Sequence, residues 1–70
     1  MPGIFKVSEM LELLQADGWS IVRIKGSHRQ LHHPFKRGTV TIAGKPSLDL
    51  HPDTARSIAR QADIVLPTKR

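Results

Sequence analysis

Apolar residues recur at two different periods along this chain, and the change of period outlines the fold. Val7, Met10, Leu11 and Leu14 fall at i, i+3, i+4 and i+7, the spacing that lines one side of an α-helix. A first helix is therefore expected from Val7 to Gly18, with Met10 and Leu13 in the core. Ser8 suits the N-cap, Glu9 lies where the helix dipole favours an anion, and Gly18 can take the left-handed conformation that closes a helix. From Trp19 to Lys25 the pattern is β-branched and alternating. Ser20, Val22 and Ile24 fall on one side of this strand, and Trp19, Ile21, Arg23 and Lys25 on the other. Gly26-Ser27 makes a tight turn. His28 to His33 forms a second strand, closed by Pro34, which has no N–H for a ladder. Phe35 to Gly38 is a hairpin loop, and Thr39 to Ala43 a third strand. If Leu31, Val40 and Ile42 face inward, Arg29 and His33 share the side of Leu31. His28, Gln30, His32, Thr39 and Thr41 then face away. A bulge at Gly26 or Ser27 would shift that register by one.

The segment from Gly44 to His51 reads as a connection. Pro52 suits the first position of a second helix, with Asp53 in its first turn. Ala55, Ile58, Ala59 and Ala62 give this helix its apolar stripe, while Arg56 and Arg60 share another, solvated face. Ile64, Val65 and Leu66 are expected to fold back onto the core, and residues 67–70 to fray. The order is α-β-β-β-α. The expected fold class is α+β, a three-stranded antiparallel sheet with two helices on one face and a polar face left open. Seventy residues make a single domain spanning 1–70, with an ordered core of about 5–66.

Composition narrows the function classes. With 39% apolar and 24% charged residues the chain is globular rather than disordered. It has no cysteine, which excludes a disulfide framework and a thiolate zinc site. No run approaches the roughly 20 apolar residues of a membrane span, and the first residues do not form a signal peptide, so a cytoplasmic protein is expected. Eleven Lys and Arg against six Asp and Glu give a net charge of +5. The excess favours polyanionic partners, and its dispersal along the chain makes it a surface rather than a basic tail.

Four histidines raise the question of a metal. His32 and His33 are adjacent in a strand and point to opposite faces. His28 and His32 share a face but lie roughly 13 Å apart along it, too far for two ligands of one ion. No metal and no cofactor is expected. Ser27-His28 is not a hydrolase elbow, and Gly44-Lys45 lacks the frame of a P-loop. Lys25-Gly26-Ser27-His28-Arg29 instead suits work on an RNA phosphate, where the ribose 2′-hydroxyl is itself the nucleophile. Histidine titrates near neutrality and can serve as base or acid. Lys25, Arg29 and the backbone N–H groups of Gly26 and Ser27 can stabilise the charged phosphorane. His32, water or a substrate group would supply the second proton-transfer partner. A binding module without chemistry is the alternative.

The same residues resemble the HicA (YcfA-like) toxins of bacterial HicA–HicB toxin–antitoxin modules. The likeness runs over roughly residues 5 to 65. It comprises the Leu14-to-Trp19 end of the first helix, Lys25-Gly26-Ser27-His28-Arg29, His33-Pro34, Thr41-Ile42-Ala43-Gly44-Lys45-Pro46, and the helix from Pro52 to Ile64. It implies a fold like that of double-stranded RNA-binding domains, and an mRNA-cleaving endoribonuclease that needs no metal and is neutralised by a HicB antitoxin. It implies that His28 is the catalytic histidine. Lys25, Gly26, Ser27, Arg29, His32 and Lys45 would bind RNA or shape the loop. Three departures stand out: Ala43-Gly44-Lys45 replaces a common Pro-x-His, Asp63 stands where a glycine often ends the second helix, and Ala55 and Ala59 where leucine is common.

Overall fold

The computed structural model describes residues 5–66. In chain order the elements are β1 (Phe5–Lys6), α1 (Val7–Asp17), β2 (Ser20–Lys25), β3 (His28–His32), β4 (Val40–Ala43), β5 (Asp49–Leu50) and α2 (Pro52–Ala62). Strands β2, β3 and β4 form an antiparallel sheet in that order, while β1 and β5 pair separately. The fold is α+β with the expected α-β-β-β-α core and is like that of double-stranded RNA-binding domains. The expected frayed tail, residues 67–70, lies outside the described residues.

Both helices bury their stripes on one face of the sheet. Val7, Met10 and Leu14 from α1 and Ala55, Ile58 and Ala62 from α2 meet Leu31, Val40 and Ile42. Ile64 and Leu66 pack against this core, but Val65 between them is 92% exposed. On the other face His28, Gln30, His32 and Thr41 are exposed, as strand period requires.

Three expectations are corrected. The N-cap of α1 is Lys6, not Ser8. Glu9 Oε1 accepts from the Lys6 N–H at 2.9 Å, and the Val7 and Ser8 amides donate to the carbonyls of Leu48 and Pro46. The amides at this end are thus satisfied by a distant segment, and the helix starts one residue before Ser8. That segment is accordingly more than a connection, since Leu50 pairs with Phe5 and Asp49 with Lys6. Finally, the register shift lies between Ile21 and Arg23 rather than at Gly26-Ser27. It leaves Ile21 opposite Leu31 on the core side and moves Arg23 and Lys25 to the other side.

Candidate functional site

The turn between β2 and β3 is two residues long. Lys25 pairs directly with His28 across it, Gly26 has φ 60° and Ser27 has no positive φ. That sign pattern is a type II′ turn, whose twist matches that of the strands and whose first central position favours glycine. The Gly44 N–H donates to the Ser27 carbonyl at 3.1 Å, and Arg29 donates from one guanidinium nitrogen to the Gly44 carbonyl at 2.8 Å and the Ser27 carbonyl at 3.4 Å. Arg29 therefore ties the turn to the end of β4 from the core side of the sheet.

On the open side the pairing makes two cross-strand rows. Lys25, His28 and Ala43 form one, and Arg23, Gln30 and Thr41 the next. Arg23, Lys25, His28, Gln30 and Thr41 line a shallow groove there. His28 is exposed, and its ring has no hydrogen bond or ion pair among the described residues. Both ring nitrogens are thus available to a ligand. Lys45 is exposed just past Gly44, at the same end of the sheet. The structure therefore brings Lys25 and His28 together and holds Gly26, Ser27 and Arg29 as their support. It does not bring His32 to them: that ring lies at the far end of β3 and is hydrogen-bonded to Thr39 Oγ1 at 3.1 Å.

Arg23 reaches this face through the bulge, which strict alternation hid. The available signal was that Ile21 and Ile24 are three apart in a strand. Only an extra residue between them can turn both to the same side. Ile24 indeed pairs with Arg29, a core-side residue, although it is 62% exposed.

His33 is structural. Its Nδ1 accepts from the Phe35 and Lys36 amides at 3.0 and 3.1 Å, so the proton is on Nε2, which donates to the Asp17 carbonyl at 2.7 Å. The ring also meets Trp19 edge-on at 5.3 Å. Lys36 ends on the Asp17 carboxylate at 2.6 Å and on the carbonyls of Ala62 and Asp63 at 3.1 and 2.7 Å. It joins the ends of both helices, a cation placed where the C-terminal dipole favours one. The hydrogen bond from Lys36, with its charge, holds the Asp17 carboxyl below its ordinary range. The Arg56 guanidinium does the same to Asp53. His51 caps α2, its Nδ1 accepting from the Asp53 amide at 3.1 Å.

Among the described residues no three His, Cys, Asp or Glu side chains cluster as metal ligands, and no helix is long and apolar enough to cross a membrane. A family model described as the HicA toxin of bacterial toxin–antitoxin systems matches residues 7–64. The chain belongs to the HicA toxin family. A search of curated proteins returned no match. In this HicA-family chain the Gly-Ser-His step falls at the II′ turn and the first residue of β3, and the Ala43-Gly44-Lys45 departure is directly across from it. Asp63 closes α2 in the left-handed conformation that glycine takes most readily, with φ 54° and ψ 50°. The Lys36 bond to its carbonyl holds that end of the helix in place.

Proposed function

We propose that this toxin is a metal-independent endoribonuclease that acts on mRNA in the cytoplasm, with His28 as its catalytic residue and a HicB antitoxin as its inhibitor. The observation that carries the reading is the exposed, unpartnered imidazole of His28 directly opposite Lys25 on a cationic open face. The substrate's 2′-oxygen attacks the adjacent phosphorus, forming the 2′-O–P bond as the P–O5′ bond breaks. A 2′,3′-cyclic phosphate and a free 5′-hydroxyl result. His28 transfers one of the two protons, taking that of the 2′-hydroxyl or giving one to the departing 5′-oxygen. The other exchanges with water at this open site. Lys25 neutralises the phosphorane, and Lys45 adds positive potential at the same end of the sheet. The test is incubation of purified protein with RNA. Fragments should appear with the wild type, persist in EDTA, vanish with His28→Ala and be suppressed by added HicB.

A second reading, a non-catalytic RNA- or protein-binding module, is favoured by one observation. Among the described residues no second imidazole and no carboxylate lines the groove beside His28, and lysine stands at position 45. Such a protein retards RNA with a steep salt dependence and releases no fragments.

A further inference from the structure

Resting on the reading of RNA as the ligand, we infer that Arg23, Gln30 and Thr41 form a nucleotide subsite beside His28. The RNA enters it as a single strand laid across the open face of the sheet. The two cross-strand rows of that face lie roughly 7 Å apart, two residues along each strand, and they differ in chemistry. The row of Lys25, His28 and Ala43 offers a charge, a proton-transfer group and, at the small Ala43, room beside the imidazole. The row of Arg23, Gln30 and Thr41 offers a guanidinium, a carboxamide and a hydroxyl. These are directional donors and acceptors suited to a base edge or ribose hydroxyl, with no reacting group among them.

The side chains of this second row are also unused by the fold. Lys6, Lys36 and Arg56 are held in ion pairs and Arg29 by carbonyls, whereas Arg23, Gln30 and Thr41 have no side-chain hydrogen bond or ion pair among the described residues. Arg23 faces this way only because of the bulge after Ile21. Bulges commonly re-aim a side chain beside a functional site. With the scissile phosphate at His28, Arg23 holds the neighbouring backbone or stacks its planar group on the neighbouring base. Gln30 reads that base's edge with its amide. The groove, about 270 Å³, accepts one strand. Helix α1 does not suit a duplex, since it carries Glu9, Glu12 and Asp17 without a single Lys or Arg; on α2 Arg56 is taken up by Asp53, which leaves Arg60 in the last turn. Arg23 is thus a positioning residue and Gln30 a determinant of base preference.

Binding is measured by fluorescence anisotropy on the His28→Ala protein, using a short single-stranded RNA and the same RNA annealed to its complement, over a series of salt concentrations. Arg23→Ala on that background should weaken single-strand binding about tenfold and reduce the salt slope by about one. Arg23→Lys should restore the slope. Gln30→Ala should keep the slope and flatten the preference among bases at one position. In the protein that retains His28, Arg23→Ala should raise KM more than it lowers kcat. Unchanged binding in both groove variants, or tighter binding of the duplex, overturns the subsite. Cleavage tests the other reading separately. If the protein with His28 releases no fragments but Arg23→Ala still weakens binding, the nuclease assignment falls and the subsite stands. If RNA is cut with unchanged KM in the groove variants, the reverse holds.

Discussion

Lys25 and His28 are direct cross-strand partners on the open face of the sheet, separated in sequence only by the two-residue turn. Their side chains leave the backbone about 4.5–5.5 Å apart, so an oxygen of a phosphate contacted by the imidazole is also within reach of the ammonium. Replacing the imidazole removes a proton-transfer group, an effect of about 10²–10⁴ in rate. Replacing the ammonium removes a charge-assisted contact of about 1.5–3 kcal/mol. Lys25→Met should therefore lower kcat/KM by about tenfold to a hundredfold, less than His28→Ala, and Lys25→Arg should retain most activity. Single-turnover cleavage of one RNA by the three variants checks the order.

Arg29 should behave differently from Lys25, although both flank the same turn. Its guanidinium bonds two carbonyls, at Gly44 and Ser27, and is partly buried. Arg29→Ala leaves those acceptors without their charged donor, a loss of about 1.5–3 kcal/mol, or roughly 6–24 °C in melting temperature for a domain of this size. Lysine should restore part of the loss, because both bonds leave from a single guanidinium nitrogen and an ammonium also carries several donors. Thermal unfolding and amide exchange at Ser27 and Gly44 report the change directly. A variant that melts like the wild type would count against Arg29 as the latch.

The glycines give a graded comparison. A Cβ at Gly26, with φ 60°, meets nothing within 4 Å, whereas one at Gly18, with φ 113°, falls 2.7 Å from Nε2 of the His33 ring. Gly26→Ala should cost only backbone strain, about 1–2 kcal/mol. Gly18→Ala should cost more, because His33 must also give up its bond to the Asp17 carbonyl. Denaturant melts of the two variants should rank in that order.

Much of this was legible in the amino-acid pattern, and what was not has identifiable causes. Helix stripes and strand alternation depend on local spacing, so Val7 to Leu14, Ala55 to Ala62 and the outward facing of His28, Gln30 and Thr41 are found as expected. The start of α1 at Val7 and the pairing of Phe5 with Leu50 depend on residues 46–50, far along the chain, which no local pattern encodes. The bulge inverted the facing of Arg23 and Lys25 relative to Ile21. A period-two reading has no place for an extra residue. For the site, His28 and its turn were accessible from their residue types, whereas the row containing Arg23 required the register. His32, which shares the face of His28, was separated from it by strand rise alone and is bonded instead to Thr39.

Asp17 links the stability of this fold to pH through Lys36. Its carboxyl is held below the ordinary value of 3.8 in the folded chain, first by the hydrogen bond from Lys36 and also by that cation's charge. A carboxyl whose folded pKa is depressed contributes stability that is fully present above its unfolded pKa and is lost as pH falls through the folded one. Wild-type stability should therefore decline as the pH is lowered from about 4. Lys36→Met should reduce the part of the decline that Asp17 contributes, with the nearby His33 still acting on the carboxyl, and lower stability at neutral pH. The variant also leaves the Ala62 and Asp63 carbonyls without their cation, so Asp17→Asn is the cleaner partner measurement. It should flatten the acid limb while leaving those two bonds in place. Urea melts of the three proteins between pH 3 and 7 read both effects. An acid limb equally steep in Asp17→Asn and the wild type would show that other carboxylates carry it.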